Sequence, residues 1–316
     1  MKGWDLVQWN AVLSWCIHGL LALVMAPLLI GIINKVKAFF AGRKGPRLLQ
    51  LYYDLEKLLR KGRIYSGTTT WIFQVAPVVS LITAVLALLF LPGGAQRSFF
   101  CFPGDVILFC YLLGLGRMMT VLAALDTGSS FAGMGAAREV MYAVFAEAAL
   151  FGAAAYLVLH TGSVSLSGLL LQTQLDGGQI NFTAMVLVEF ALMIVLLTEC
   201  CRVPVDDPET HLELTMIHEA MVLDYGGPDF ALIQYAASLK LWIFASLMVL
   251  LVFPLPVASV WNLVLQVAGV FGIVVLVGVL ESVMARFRLL KLPLLQAGAF
   301  GCTLLAVLLE VIFAGR

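Results

Sequence analysis

The sequence predicts an all-α, polytopic membrane protein with about eight transmembrane helices and both termini on the outer side. Composition points there first. Apolar residues make up 62% of the 316-residue chain and charged residues only 12%, with a mean hydropathy of +1.01. Soluble domains sit nearer half apolar and a quarter charged. Segment length is the second observation: about 20 apolar residues cross a hydrocarbon core as a helix. Eight segments qualify, 11–33, 71–91, 104–124, 139–160, 181–200, 236–254, 260–283 and 293–313. Pro27, Pro77 and Pro254 are expected to kink or end their helices.

Charge asymmetry is the third. Loop 34–70 carries Lys35, Lys37, Arg43, Lys44, Arg47, Lys57, Arg60, Lys61 and Arg63. Arg138, Arg202, Lys240, Arg286, Arg288 and Lys291 are assigned to other connections on the same side. The opposite side keeps only Lys2, Arg97 and Arg316. The basic side of a membrane protein is cytoplasmic, so both termini are expected outside. The chain reads as a single membrane domain, 1–316, with two sizeable cytoplasmic loops, 34–70 and 201–235.

The first apolar segment is long, contains His18 and Pro27, and runs into a basic loop without a small-residue cleavage site. It is expected to be a retained helix rather than a signal peptide. In loop 34–70, Arg43-Lys44-Gly45-Pro46 marks a turn. The following stretch, 51–61, has helical period, with Leu51, Leu55, Leu58 and Leu59 on one side. A basic amphipathic segment of this kind either rests on anionic lipid or docks a soluble partner.

Between the third and fourth segments, residues 125–139 are rich in small and polar residues. That stretch reads as a plain loop or as a closely packed re-entrant turn, its glycines permitting close backbone approach.

Six carboxylates fall inside or at the ends of predicted helices: Glu139, Glu147, Glu189, Glu199, Glu281 and Glu310. Each costs roughly 2.5–3.5 kcal/mol at the middle of a membrane helix, so each marks a pathway or a buried partner. Glu139 and Glu147 are eight apart, and Glu189 and Glu199 ten apart, so each pair projects toward roughly one side of its helix. Two such columns suit a proton path, because a desolvated carboxyl titrates near neutrality. The structural alternative is pairing with Arg117, Arg138 or Arg202. Glu281 is expected to pair with Arg286 or Arg288, and Glu310 to be ordinary interfacial polarity.

After the fifth segment, residues 199–213 form a dense acidic run. Asp207 before Pro208 is a good helix start, and 209–223 reads as a short amphipathic helix with Glu209 and Glu213 one turn apart. Gly226-Gly227-Pro228 ends it. His211, Glu213, His218 and Glu219 do not match a zinc motif, since the order is His-x6-His-Glu rather than His-Glu-x-x-His. No metal site is expected. Cys16, Cys101, Cys110, Cys200, Cys201 and Cys302 show no C-x-x-C spacing, which argues against an iron–sulfur cluster in this chain. They read as small buried hydrophobes.

These motifs resemble the membrane subunit of group 4 nickel–iron hydrogenases, the formate hydrogenlyase subunit 4 and hydrogenase-4 component C type. That family is homologous to complex I subunit 1. Its loop pattern, Glu-x-x-Arg-x-Pro-x-Asp-x-x-Glu-x-x-x-Glu, is met by Glu199, Arg202, Pro204, Asp206, Glu209 and Glu213. Arg43-Lys44-Gly45-Pro46 is similar to its Arg-Arg-Gly-Pro motif, followed by Asp54 and Lys57. Arg138 and Glu147 match an Arg-x8-Glu relation, and Arg286-Phe287-Arg288 an Arg-Phe-Arg motif. Residues 125–129 and 137–139 resemble hydrogenase-branch motifs, with Ser130 where proline is usual and Ala137 where serine is usual. His211 stands where complex I proteins usually carry another acid, a departure from a full quinone-linked acidic chain.

The resemblance implies a membrane-anchoring, proton- or sodium-translocating subunit of an energy-converting hydrogenase complex in the prokaryotic plasma membrane. It assigns an ion pathway to Glu139, Glu147, Glu189, Glu199, Asp206, Glu209 and Glu213, and pairing roles to Arg138, Arg202, Arg286 and Arg288. Docking of a soluble arm falls to Arg43, Lys44, Asp54 and Lys57. Hydrogenase large and small subunits, an iron–sulfur subunit and antiporter-like membrane subunits are the implied partners, besides lipid; no nucleic acid is expected. Nickel–iron and iron–sulfur centres belong to those partners, with no cofactor and no catalytic metal centre in this chain. Two alternatives stay open, a quinone-reducing complex I subunit 1 and a stand-alone secondary transporter. The latter class often shows inverted repeats, and none is evident.

Overall fold

The structure, a computed structural model, describes residues 2–94, 97–175, 181–206, 216–253 and 260–314. It is built of helices: α1 Lys2–Phe40, α2 Gln50–Leu59, α3 Trp71–Leu89, α4 Asp105–Asp126, α5 Ser130–Thr161, α6 Leu166–Leu175, α7 Phe182–Glu199, α8 His218–Val222, α9 Gly227–Val252, α10 Val260–Val283 and α11 Leu292–Ala314. A 3-10 turn, Leu289–Lys291, precedes α11. Eight of these helices are long and apolar enough to cross a membrane, namely α1, α3, α4, α5, α7, α9, α10 and α11. The protein is a multi-pass membrane protein, all-α among its described residues.

Several boundaries differ from expectation for local reasons. Of the prolines expected to kink or end helices, Pro27 and Pro77 sit inside α1 and α3, and Pro254 lies outside the described residues. The stretch 125–139 is not a loop, because α5 begins at Ser130 and takes in most of it. Close packing explains why small residues suit that stretch. A side chain at Gly135 would start 2.8 Å from the Ile217 carbonyl oxygen, so glycine lets α8 seat directly on α5. Of the helix expected over 209–223, the described part contains α8; 207–215 lie outside the described residues, and with them Glu209, His211 and Glu213.

α9 begins at Gly227 rather than at 236. Gly227 has φ +56°, and a side chain there would meet the Gly62 carbonyl oxygen at 2.6 Å. The basic loop is thereby held against the start of α9. Asp229, buried in the first turn of α9, reinforces the join: Tyr65 donates to it at 2.7 Å and Arg63 lies 3.4 Å away. Nearby Tyr225 stacks on Phe73 at 4.0 Å and donates to its carbonyl.

An apolar core runs through all the spans, with Leu29, Leu113, Tyr156, Leu192, Trp242, Phe244, Val274 and Ala299 among its buried members. α9 is the most enclosed span; α1, α3, α7 and α10 pack on it, and α11 packs on α5 and α7. Alternation of the eight spans puts the ends at Phe40, Trp71, Asp126, Ser130, Glu199, Gly227, Val283 and Leu292 on one side, together with the basic loop and α8.

Candidate functional site

Arg117 is the hub of the site. It lies on α4, nine residues from the Asp126 end, which is roughly 13 Å into the span at 1.5 Å per residue. Three carboxylates from two other helices converge on its guanidinium. Nε is 3.8 Å from Glu139 and Nη1 3.3 Å from Glu147, both on α5. Nη2 donates to Glu199 at the end of α7. Arg117 and Glu199 are almost fully enclosed, whereas the Glu147 side chain is 45% exposed on the outside of the bundle.

Of the three arginines named as alternative partners, Arg117 is the one that pairs with Glu139, Glu147 and Glu199. Arg138 donates instead to the Met216 carbonyl at 3.2 Å, fixing the approach to α8. Arg202 faces Glu281 at 3.6 Å, and Lys37 reaches the other Glu281 oxygen at 3.3 Å. The expected pairing of Glu281 with Arg286 or Arg288 is therefore corrected. Both arginines lie past the end of α10, where Arg286 turns to Asp206 at 2.8 Å while Arg288 is exposed. Glu310, expected as interfacial polarity, bonds His160 at 2.8 Å near the ends of α11 and α5.

Asp206 is buried and doubly used. Besides Arg286, it accepts from the backbone N–H groups of Ile217 and His218 at 3.2 and 3.1 Å, satisfying donors at the start of α8. Glu189 stands apart on α7, with one buried oxygen lacking a hydrogen-bond partner among the described residues.

Two spaces lie beside these groups. A cavity of about 490 Å³ lies between α1, α2, α8 and α9, lined by Asp54, Lys57, Lys61, Arg202, Asp206, His218 and Glu219 on its polar side and by Ile30, Leu51, Leu58, Val222, Phe230 and Ile233 on its apolar side. A second space of about 40 Å³ is bounded by Arg117, Glu139, Glu199 and Lys240. Cys200, Cys201, His218, Ile233 and Ala237 border both. Burial, and then the Lys240 charge, hold the His218 imidazole down to about 4. Burial pushes the Cys200 thiol up to about 12 and Cys201 well above its ordinary range, so both are protonated thiols at neutral pH.

Of the docking candidates, Asp54 accepts from Gln50 at 3.0 Å, and Asp54 and Lys57 line the large cavity. Arg43 and Lys44 lie apart from it, beside the end of α1, where Lys35 donates to the Lys44 carbonyl. Among the described residues no group of three or more His, Cys, Asp or Glu is placed to hold a metal ion.

Sequence reasoning undervalues Arg117 and misplaces Lys240. Lys240 is expected in a connecting loop, but it sits 13 residues inside α9. In both cases the available signal is an ionisable residue inside an apolar segment.

The NADH dehydrogenase family model matches residues 13–312 of this chain. The chain belongs to that family. Hydrogenase-4 component C of Escherichia coli (strain K12) is 30% identical over 280 residues, covering 86% of this chain and 87% of that protein. Formate hydrogenlyase subunit 4 of the same organism is 29% identical over 307 residues, 94% and 97% of the two chains. An NADH-quinone oxidoreductase subunit of Koribacter versatilis (strain Ellin345) is 31% identical over 224 residues, covering 66% of this chain and 52% of that protein. A chain of the membrane-bound sulfane sulfur reductase, an archaeal respiratory membrane complex, shares the fold, with a TM-score of 0.81 over 95% of this chain and 99% of that one at 20% identity. Membership of the NADH dehydrogenase family thus rests on nearly the whole chain.

Proposed function

We propose that this member of the NADH dehydrogenase family is the membrane subunit of an energy-converting hydrogenase or formate hydrogenlyase-type complex in a prokaryotic plasma membrane. In this reading it couples electron transfer in a docked soluble arm to movement of protons or sodium ions. The observation that carries the proposal is the Arg117 cluster: three carboxylates on one arginine inside the spans, bordered by a small space that shares lining residues with a cavity beside the basic loop. Similarity to hydrogenase-4 component C and formate hydrogenlyase subunit 4 supports the same reading.

Glu139, Glu147 and Glu199 form the inner part of the ion path and Asp206 its approach from the cavity; Glu209 and Glu213, outside the described residues, are assigned to the same path. Glu189 extends it along α7. A half-exposed carboxylate on a spanning helix is costly against lipid, so Glu147 is covered by a neighbouring membrane subunit of the antiporter-like kind. Loops 34–70 and 201–235 face the cytoplasm with both termini outside, and Arg43 and Lys44 hold the soluble arm. That arm comprises the hydrogenase large and small subunits and an iron–sulfur subunit, which carry the nickel–iron and iron–sulfur centres.

Purification of the tagged protein in mild detergent tests this reading. Co-isolation of nickel- and iron-containing subunits is expected, with loss of those subunits but not of the membrane protein in the Arg43→Glu/Lys44→Glu variant. Isolation of the chain alone, active as a transporter, would overturn it. The apolar wall of the large cavity favours one second reading, a quinone-reducing subunit; hydrogen- or formate-dependent quinone reduction by the purified complex would establish it.

A further inference from the structure

Lys240 is an intramembrane cation that the ion-path reading does not use. It lies on the most enclosed span, 13 residues from Gly227, roughly 20 Å along the helix. Its ammonium forms no ion pair among the described residues, yet it borders the 40 Å³ space with Glu139 and Glu199. That space holds about one or two water molecules, so Lys240 acts on the carboxylates across a polar gap rather than by contact.

The charges around it are unequal. Arg117 on α4, Glu139 on α5, Glu199, Cys200 and Cys201 at the end of α7, and His218 on α8 all face this space, while α3 contributes Ser80. From α1, α2 and α10, no titratable group lines it among the described residues. Both thiols are protonated and His218 is neutral near pH 7, so none of them balances an acid. Glu147 joins from the far side of Arg117. Arg117 and Lys240 together leave one of the three carboxylates uncompensated; without Lys240, two are.

We propose that Lys240 is the second counter-charge of the Arg117 cluster, a positioning residue that sets how many of Glu139, Glu147 and Glu199 hold a proton at rest. This rests on the ion-path reading for its purpose but not for its measurement. Infrared titration of the protonated-carboxyl absorption in the purified complex reads the charge balance whether or not ions move. Removing the charge in Lys240→Met or Lys240→Gln should raise the carboxyl midpoint by about one pH unit, the scale of a single charge acting across several ångströms in a partly solvated interior. Lys240→Arg, which keeps the charge, should titrate like the wild type.

An unchanged midpoint in both neutral variants would overturn the proposal, as would Lys240→Arg moving as far as they do. Should the neutral variants fail to assemble, adding Glu199→Gln removes one negative charge and should restore assembly; absence of rescue would also overturn it. A normal titration in a complex that moves no ions would sink the pathway reading alone.

Discussion

Two ionic networks meet on the basic side of this protein, built from the same residue types and balanced in opposite senses. Around Arg117, one arginine faces Glu139, Glu147 and Glu199. Around Arg202, two carboxylates, Glu281 and Asp206, face three cations, Lys37, Arg202 and Arg286, and Asp206 also holds two backbone N–H groups. Excess acid in a low-dielectric interior favours uptake of a proton by one of its members. Excess cation instead leaves both acids ion-paired. On the ion-path reading the first arrangement is the inner part of the path, while the second holds the residues after α7, up to Asp206, against the end of α10.

Removing Arg117 should produce the largest effect. Taking one partner from a buried ionic group costs about 3–5 kcal/mol, because the remaining charge is left uncompensated, and here three carboxylates lose their common cation. Arg117→Gln should sharply reduce the amount of folded subunit in membranes. Glu199→Gln added to it should recover a substantial part, since the most enclosed acid is then neutral. Normal membrane levels of the single variant would mean that the cluster is wetter and less dependent on Arg117 than its geometry implies.

The carboxylates themselves come next. Glutamine keeps their shape and much of their hydrogen bonding but cannot titrate. Glu147→Gln and Glu199→Gln should assemble normally and lose roughly 10²-fold in ion-coupled turnover, within the range that a positioned proton-transfer group contributes. Hydrogen evolution measured with pH change in sealed vesicles is the check. Unimpaired pumping by both would reduce the Arg117 cluster to a structural role.

The opposite result is expected on the other side of the comparison. Arg286→Gln leaves Asp206 with its two backbone donors, so the loss should be about 1–3 kcal/mol of stability, the cost of one unmade charged hydrogen bond. Thermal unfolding of the detergent-purified complex should shift downward, while the ions moved per electron pair stay unchanged. A change in that ratio would mean that the approach through Asp206 depends on its pairing with Arg286.

How much of this is legible in the sequence differs between the two networks. All eight spans are marked by long apolar runs, and the carboxylates within them stand out because charge is expensive there. Partner choice is not legible. Glu147 and Arg138 lie on one helix at suggestive spacing, but Glu147 finds Arg117 on α4 because α4 and α5 pack side by side. Glu281 finds Lys37 because α1 runs on to Phe40 and packs along α10. The stretch 125–139 resembles a loop because its small residues carry little apolar weight; they serve close helix packing instead. Lys240 is counted with the connections although it lies four residues inside the run that starts at 236; with α9 beginning at Gly227 it is 13 residues into the helix.

His218 gives the smallest test and joins the two networks, since its backbone N–H bonds Asp206 while its ring borders the Arg117 cluster. Burial and Lys240 hold its imidazole down to about 4 in the folded protein, against an ordinary value near 6.5. Between those values the unfolded chain binds a proton that the folded chain does not. The associated stability is therefore fully present above about pH 6.5 and is lost as pH falls from there through about 4. The thermal midpoint of the purified complex should decline across that window, and less steeply in His218→Gln, which has no imidazole to protonate. Carboxylate protonation contributes equally to both proteins, so the difference between the two slopes isolates His218. Identical slopes would mean that its ring is as wet in the folded protein as in the unfolded one, and that Lys240 alone sets the charge balance of the space they share.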